Sequence, residues 1–309
     1  MPIDMTATSS VPKILLFGKS GQVGWELQRS LAPLGHLISV DFDSKDLCGD
    51  FTKLSGLSET IHKVQPSIIV NAAAHTAVDK AESEPDLART INALAPAILA
   101  EEAQKLNAWL VHYSTDYVFD GSGEKAWTET DQAAPLNVYG QTKWEGEQAV
   151  SSHCDKHLIF RTSWVYAARG NNFAKTMLRL AKEHDTLSVI GDQIGAPTGA
   201  ELLADVTAHA LRQIQLSNTS HLAGLYHLVA SGYTSWHGFA SFVIDHAQKA
   251  GVTLQVNSNA IKKISSSDYK TPATRPLNSR LNTDKVQTAF DITLPDWKTG
   301  VERMLTEIL

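Results

Sequence analysis

An apolar run at residues 14–17 leads directly into three glycines, Gly18, Gly21 and Gly24. Glycines at this spacing allow a tight turn and let backbone N–H groups approach a pyrophosphate closely. A helix that begins at such a turn points the positive end of its dipole at the same phosphates. The segment therefore predicts a strand, a phosphate-binding turn and a helix, the arrangement that binds a dinucleotide.

The same alternation of strand and helix continues along the chain. Apolar runs that predict strands lie at residues 14–17, 36–42, 67–72, 109–114 and 158–160. Stretches of helical period lie at 23–34, where an apolar stripe ends at the C-cap residue Gly35, and at 86–106, 139–151 and 172–184. The order predicts an α/β fold, a Rossmann-like doubly wound parallel sheet with helices on both faces and right-handed crossovers.

After about residue 165 the pattern is less regular, which predicts two parts. Residues 13–165, with further elements returning from about 200–230, are predicted to form a dinucleotide-binding domain. Residues 166–200 and 231–309, with predicted loops at 191–199 and 257–282, are predicted to form mainly a smaller substrate-binding lobe built from C-terminal insertions. Residues 1–12 have no apolar stretch, so we expect a mobile extension there and no signal peptide.

Charge and cysteine content narrow the class of protein. The formal net charge is −6, the pI is near 6.0 and the basic residues are scattered, so no nucleic-acid or anionic-membrane surface is indicated. No apolar run approaches the ~20 residues that span a bilayer. Cys48 and Cys154 have neither metal-ligand nor disulfide-framework spacing, so we expect unpaired thiols in a reducing cytoplasm.

Tyr139 and Lys143 form the most informative chemical pair. Of the seven tyrosines, only Tyr139 has a lysine four residues later, and in a helix this spacing puts phenol and ammonium on one face. A free phenol has a pKa of roughly 10, and a nearby cation would make it an acid or base usable near neutral pH. A surface tyrosine packed on a lysine stem has the same spacing, so the pair gains meaning only from its context.

Asp41 follows the second predicted strand, 17 residues after Gly24. An acid at this position can bond an adenosine ribose hydroxyl, and it favours NAD over NADP because a 2′-phosphate would face a like charge. An ordinary strand-end turn acid is the alternative.

Five ordered blocks give the chain a family resemblance: FGKSGQVGWEL, NAAAHTAVDKAE, STDYVFDG, YGQTKWEGE and RPLNSRL. With the glycine turn and the Tyr-x-x-x-Lys pair, they make the chain resemble the extended short-chain dehydrogenase/reductase family after residue 12. Within that family the blocks are similar to the dTDP-4-dehydrorhamnose reductase subfamily. One departure is His75, where many members have an aromatic residue such as tyrosine.

The resemblance implies a reaction and roles for three side chains. NADH or NADPH would reduce the C4 carbonyl of dTDP-4-dehydro-L-rhamnose to dTDP-L-rhamnose, in the cytoplasm. Tyr139 would be the general acid, and Lys143 would bond the nicotinamide ribose and bias the phenol. The hydroxyl of Thr115 would orient the carbonyl or tune the phenol.

The implied binding residues divide between cofactor and substrate. Those for the cofactor are Gly18, Gly21, Gln22, Val23 and Gly24 in the phosphate turn, Asp41 on the ribose, Asp50 and Phe51 beside adenine, Ala74, His75, Thr76 and Tyr113 on the nicotinamide side, and Tyr139 and Lys143. Those for the substrate are Val78, Thr115, Asp116, Tyr139, Trp164 and Arg275, with Arg280 and the loop at 193–198 as further candidates. Core packing stays open for Phe51, and an ion-paired or solvated side chain stays open for each arginine.

The resemblance also extends to a metal and a second copy of the chain. Some members of the subfamily are Mg²⁺-dependent homodimers with glutamates at the subunit contact, and the matching positions are Glu26, Glu201 and Glu302. Carboxylate oxygens suit this hard cation. Ordinary helix-surface acids remain an equal reading of the same residues.

Other functions on the same scaffold stay open. A 4,6-dehydratase would carry a glutamate directly after Thr115-Asp116, where this chain has Tyr117. A nucleotide-sugar epimerase would use the same Tyr/Lys pair, whereas a non-catalytic regulatory subunit would tend to lose it. A reductase of small carbonyls is disfavoured by the long segments after residue 165.

Overall fold

The computed structural model describes residues 11–217 and 220–309, so residues 1–10 of the predicted mobile extension lie outside the described residues. In chain order the strands are β1 (Lys13–Phe17), β2 (His36–Val40), β3 (Ile68–Asn71), β4 (Trp109–Thr115), β5 (His157–Thr162), β6 (Val165–Tyr166), β7 (Leu187–Ile190), β8 (Ile194–Gly195), β9 (Thr198–Gly199), β10 (Gly224–His227), β11 (Thr234–Ser235) and β12 (Ile261–Ile264). The α-helices are α1 (Gln22–Leu31), α2 (Leu54–Val64), α3 (Val78–Ser83), α4 (Pro85–Arg89), α5 (Ala95–Lys105), α6 (Val138–His153), α7 (Phe173–Glu183), α8 (Ala200–Ser217), α9 (Trp236–Lys249), α10 (Asp284–Phe290) and α11 (Trp297–Ile308).

The large sheet of the described chain has the strand order β10-β5-β4-β3-β1-β2, and every neighbouring pair is parallel. In the register of this sheet, Phe17 lies opposite both Val40 and Asn71, so the carboxyl ends of three strands meet at one edge. The predicted α/β fold with a parallel, Rossmann-like sheet is confirmed. Ligands of open parallel sheets bind at that edge.

Strand β1 shows why the sheet needs helices on both faces. Ile14 and Leu16 belong to one buried cluster together with residues of α1 and α8, and Leu15 and Phe17 belong to another with residues of α2 and α5. All four side chains have no exposed surface. Because both faces of the strand are covered, its sequence is continuously apolar rather than alternating.

A smaller group of elements packs beside the sheet. Helices α7, α9 and α11 bury Phe239, Val243 and Trp297, and β7 pairs with β12 in parallel. The two predicted loops were therefore wrong in part, because 191–199 contains β8 and β9 and 257–282 contains β12. These strands are only two to four residues long and pair with distant segments, so no local periodicity announces them.

The helix predicted at 86–106 is interrupted by a π-helical turn at Thr90–Leu94 between α4 and α5. Pro96 has no backbone N–H, so the Asn92 carbonyl loses the donor that a regular helix would supply. That carbonyl faces Gly146 of α6, where an added Cβ atom would lie only 2.1 Å from the Asn92 oxygen. The turn therefore lets the two helices approach closely.

Gly35 follows a short 3-10 turn after α1, but not in the left-handed conformation expected of a helix C-cap. Its φ of 170° is extended, and an added Cβ atom would lie 2.2 Å from the Pro12 oxygen. Glycine is required here by that close approach, which the sequence prediction missed.

Of the helices in the described ranges, none is long and apolar enough to cross a membrane.

Candidate active site

A cavity of about 460 Å³ opens at the carboxyl edge of the sheet. Its lining residues lie at or just after the carboxyl ends of β1, β3, β4 and β5 and in α1, α3, α6 and α9. They are Gly21, Gln22, Val23, Ala72, Ala74, Thr76, Val78, Tyr113, Ser114, Thr115, Asp116, Tyr117, Tyr139, Lys143, Thr162, Ser163, Trp164, Val165 and Trp236. Most of the residues predicted to bind cofactor or substrate are thus brought to one place.

The glycine turn between β1 and α1 is as compact as its spacing predicts. Gly18 has a φ of +82°, and an added Cβ atom would lie 2.6 Å from the Ala73 nitrogen. At Gly24 the added atom would lie 1.9 Å from the Gly18 oxygen. Gly21 caps α1 without a side-chain hydrogen bond, so the helix presents its first N–H groups to the cavity. These features fit a pyrophosphate.

Asp41 lies beside this turn and is buried. One carboxylate oxygen accepts hydrogen bonds from the Ser20 backbone N–H at 2.8 Å and from the Ser20 hydroxyl, and the other accepts one from the Phe42 N–H at 2.9 Å. Asp41 therefore holds the glycine turn in place. Its bond to a ribose stays a prediction.

The two residues predicted beside adenine differ in exposure. Phe51 is only 4% exposed and packs edge-on against Phe17, with ring centroids 5.6 Å apart, so core packing accounts for its ring. Asp50 accepts hydrogen bonds from the backbone and hydroxyl of Thr52 and pairs with Lys53. It lines a separate, open cavity with Phe42 and Lys53.

Tyr139 enters the main cavity from the first turn of α6, which Asn137 caps by accepting a 2.8 Å hydrogen bond from the Gly140 N–H. Its ring packs edge-on against Tyr117, with centroids 5.5 Å apart. Burial raises the pKa of Tyr139 to about 12, although a hydrogen bond with Thr115 opposes the shift. The sequence predicted a pKa nearer neutrality. In the structure burial dominates, so the phenol keeps its proton at neutral pH.

Lys143 lies one helical turn further along α6 and is 2% exposed. Its Nζ donates a 2.6 Å hydrogen bond to the Tyr113 carbonyl oxygen and lies 3.4 Å from His112 Nε2. Burial lowers the pKa of Lys143 to about 8, and Glu147 opposes the shift. The lysine therefore titrates near the physiological range.

Thr115 and Asp116 close the end of β4. The Thr115 hydroxyl lies 3.1 Å from an Asp116 carboxylate oxygen, and within the described residues the other oxygen is buried without a hydrogen-bond partner. Burial raises the pKa of Asp116 to about 7, although hydrogen bonds with Ser279 and Thr115 oppose the shift. The unpartnered carboxyl oxygen of Asp116 can accept a hydrogen bond from a hydroxyl group in the cavity.

Trp164 lies in the cavity wall with a φ of +49°, which is uncommon for a residue other than glycine. Its indole stacks on Trp236, with ring centroids 3.5 Å apart and an interplanar angle of 11°. The Trp236 N–H donates a 3.0 Å hydrogen bond to Gln193 Oε1. The stacked pair forms a rigid apolar wall with a fixed orientation.

The remaining predicted residues occupy other positions. The Tyr113 hydroxyl bonds Thr207 in α8 at 2.7 Å, so only the rest of this residue faces the cavity. The backbone of His75 is held by Asn92, and its ring lies 3.6 Å from a Glu84 oxygen. Arg275 pairs with Asp79 at 2.8 Å, the ion-paired alternative that the sequence left open.

The three glutamates proposed for Mg²⁺ are dispersed over α1, α8 and α11. Glu26 lies 3.6 Å from Arg29, Glu201 lies 3.6 Å from Arg303, and Glu302 is exposed. Across residues 11–217 and 220–309, no cluster of three or more His, Cys, Asp or Glu side chains could hold a metal ion. Cys48 and Cys154 are free thiols, as predicted.

Three residues of the site region were not predicted from the sequence. Asn92 in the π-helical turn bonds both backbone groups of His75 and reaches Thr142 of α6 at 3.2 Å. His112 contacts Lys143, and Trp236 supports Trp164. Each comes from an element whose own sequence is that of a helix or strand, and only tertiary packing brings it to the cavity.

Comparisons with known proteins agree with this geometry. The model of the RmlD substrate binding domain family matches residues 12–309. The dTDP-4-dehydrorhamnose reductase of Salmonella typhimurium is 63% identical over 295 residues, which cover 96% of this chain and 97% of the relative. Solved structures of dTDP-4-dehydrorhamnose reductases from Clostridium acetobutylicum and, in complex with NADP, from Bacillus anthracis are 37% and 35% identical to this chain. Each has a TM-score of 0.84, and each match covers 96% of this chain and 99% of the other.

A parallel sheet with a glycine turn and a Tyr139–Lys143 pair at one cavity defines an NAD(P)-dependent oxidoreductase of the short-chain dehydrogenase/reductase class. Within that class, the chain belongs to the RmlD substrate binding domain family, in company with the dTDP-4-dehydrorhamnose reductases. The resemblance seen in the sequence blocks is thereby confirmed.

Proposed function

We propose that this protein reduces the C4 carbonyl of dTDP-4-dehydro-L-rhamnose to dTDP-L-rhamnose, with Tyr139 as the proton donor. The observation that carries the proposal is the grouping of Tyr139, Thr115 and Lys143 at the cavity that the glycine turn borders. A protonated phenol hydrogen-bonded to Thr115 is an acid that faces the space where a carbonyl can bind.

The chain has the features that a dinucleotide needs. The start of α1 has no side-chain cap and borders the cavity at Gly21, and the close backbone contacts of Gly18 and Gly24 keep the turn compact, so a phosphate can approach its backbone N–H groups. When bound, a reduced nicotinamide cofactor supplies the hydride. The relative from Bacillus anthracis binds NADP, whereas Asp41 favours NAD, so we propose that this chain accepts both NADH and NADPH.

The proton transfer is assigned to Tyr139. As the carbonyl carbon is reduced, negative charge develops on its oxygen, and the phenol donates its proton there. The Thr115 hydroxyl orients the phenol by the hydrogen bond that joins them. The ammonium of Lys143 stabilises the tyrosinate that remains, and the same group would bond the nicotinamide ribose.

The sugar and its nucleotide would meet different parts of the wall. The stacked indoles of Trp164 and Trp236 offer an apolar face of the kind that suits a 6-deoxy sugar. The buried carboxyl group of Asp116 can accept a hydrogen bond from a sugar hydroxyl. Arg275 pairs with Asp79 through one nitrogen, so we propose that its other N–H groups bond the diphosphate when the nucleotide binds.

We also propose a two-part organisation, a metal-dependent homodimer and a cytoplasmic location. The division into a dinucleotide-binding domain and a substrate-binding lobe follows the separate buried clusters around the sheet and around α7, α9 and α11. A homodimer with Mg²⁺ at Glu26, Glu201 and Glu302 requires a second chain. A cytoplasmic location follows from the proposed pathway.

The deciding experiment supplies purified protein with dTDP-4-dehydro-L-rhamnose and NADH or NADPH and follows loss of nicotinamide absorbance. Stoichiometric oxidation with formation of dTDP-L-rhamnose is the expected result. Conversion of the sugar without net oxidation of cofactor would favour an epimerase. Cofactor binding without either change would favour a regulatory subunit.

A further inference from the structure

His112 is a fully buried titratable residue that the proposed reaction leaves unused. It lies in β4 between Asn71 of β3 and Lys143 of α6. Its Nδ1 atom lies 3.0 Å from Asn71 Nδ2, and its Nε2 atom lies 3.4 Å from Lys143 Nζ. The ring therefore joins the sheet to the lysine of the active site.

The hydrogen bonds around Asn71 determine which ring nitrogen carries the proton. Asn71 Oδ1 accepts a 3.0 Å hydrogen bond from the Ala73 N–H, so the amide nitrogen faces His112. The amide nitrogen is a donor, and His112 Nδ1 must accept. Burial holds the pKa of His112 well below its ordinary value, so the ring is neutral and its single proton lies on Nε2.

The Nε2–H group therefore points at Lys143. An ammonium can only donate hydrogen bonds, whereas a neutral amine has a lone pair that can accept a hydrogen bond from this N–H group. We propose that His112, through the tautomer that Asn71 enforces, favours the neutral amine of Lys143 in the free protein and thereby couples charging of Lys143 to cofactor binding. The second half of this inference rests on the proposed function, and the first half does not.

The other groups that face Lys143 do not favour the amine. The Tyr113 carbonyl oxygen accepts a hydrogen bond from either form. Glu147, one turn along α6, favours the ammonium, but both its oxygens are bonded to Arg161 of β5 at 2.8 and 2.6 Å. Tyr139 is uncharged at neutral pH, and Asp116, when ionised, would also favour the ammonium across the cavity. The low pKa of Lys143 is due to burial. In the proposal, the His112 N–H that faces the amine at 3.4 Å adds to this effect.

The test measures the titration of Lys143 directly. Protein labelled with ¹³C at lysine Cε is titrated without cofactor, and the Lys143 resonance is identified by its loss in Lys143→Arg. We expect a midpoint near pH 8 in the wild type. His112→Asn retains an acceptor for Asn71 but removes the N–H that faces Lys143, so its midpoint should rise by ~1 pH unit. An unchanged or lower midpoint in this variant would overturn the proposal.

Two further measurements cover a variant that fails to fold and the coupling to cofactor. A long-range ¹⁵N–¹H spectrum of the wild type should show His112 as the Nε2–H tautomer, and the Nδ1–H tautomer would contradict the proposal. NADPH affinity, followed by quenching of tryptophan fluorescence, should decline with rising pH. In His112→Asn the pH at which affinity declines should be higher, by the same amount as the titration midpoint of Lys143. An affinity profile that does not move while the midpoint does would refute the coupling. None of these readouts requires turnover, so failure of the proposed reductase activity would be seen separately.

Discussion

Lys143 Nζ donates a 2.6 Å hydrogen bond to the carbonyl oxygen of Tyr113, which lies in β4 two residues before Thr115. The lysine of α6 is thereby anchored to the strand that carries the threonine hydroxyl. Helix and sheet thus fix the relative positions of phenol, hydroxyl and ammonium. In the free protein the amino group of Lys143 is held by this hydrogen bond, and burial sets the high pKa of Tyr139.

Tyr139→Phe should lower turnover by roughly 10²–10⁴-fold, because it removes the proposed proton donor and leaves the ring in place. Affinity for NADPH should remain near that of the wild type. Nicotinamide absorbance measures turnover, and tryptophan fluorescence measures affinity. Tyr226→Phe is the matched control, because its hydroxyl bonds Leu222 in the core away from the cavity and its loss should spare turnover. Wild-type turnover of Tyr139→Phe would rule out the assigned acid.

Two glycine substitutions should separate folding from cofactor binding. Gly24→Ala places a Cβ atom 1.9 Å from the Gly18 oxygen, so we expect it to lower the free energy of unfolding by more than about 1 kcal/mol. In Gly21→Ala the nearest atom is the Gly18 oxygen at 3.5 Å, an ordinary contact, so stability should be retained. The new methyl would nevertheless border the phosphate cradle and weaken NADPH binding. Urea unfolding and cofactor titration report the two effects, and equal stability of the variants would contradict the packing argument.

The buried pair of Glu147 and Arg161 should be important for stability. Both side chains are about 3–4% exposed, and Glu147→Gln leaves the guanidinium buried without its counter-charge. Loss of one partner should lower the free energy of unfolding by about 3–5 kcal/mol in urea denaturation. Arg179→Gln breaks an exposed ion pair with Glu183 and should change the free energy of unfolding by less than about 1 kcal/mol. Similar small effects at both sites would show that the buried pair contributes little.

Asp116 should make the protein less stable as pH rises. Its pKa is about 7 in the folded state and near 3.8 in the unfolded state, so the folded protein binds more protons between these values. The free energy of unfolding therefore falls from pH 4 to pH 7 through this group. Asp116→Asn removes the cost of ionising a buried carboxyl group. We therefore expect the free energy of unfolding of the variant to exceed that of the wild type by about 1 kcal/mol or more at pH 8, but not at pH 4. Urea denaturation at both pH values checks this, and a difference that shrinks as pH rises would exclude it.

Much of the architecture could be predicted because it is encoded locally. The continuous apolar run of β1 and the three glycines after it specify a buried strand and a tight turn within a dozen residues. The spacing of Tyr139 and Lys143 needed only a helix to place both at the cavity. The π-helical turn at Thr90–Leu94 could not be predicted, since the surrounding stretch has ordinary helical character and the Gly146 contact lies about fifty residues away.

The sequence by itself determined the first five strands of the sheet, helices α1, α6 and α7, the glycine turn and the pairing of Tyr139 with Lys143 on one helix face, because each depends on neighbours within one or two turns of chain. Only the tertiary structure decided that Trp236 supports Trp164, that Arg275 pairs with Asp79, and that His112 faces Lys143. These contacts join segments far apart in the chain. The titration of the site follows from them, because burial and the direction of each hydrogen bond set the pKa of a side chain.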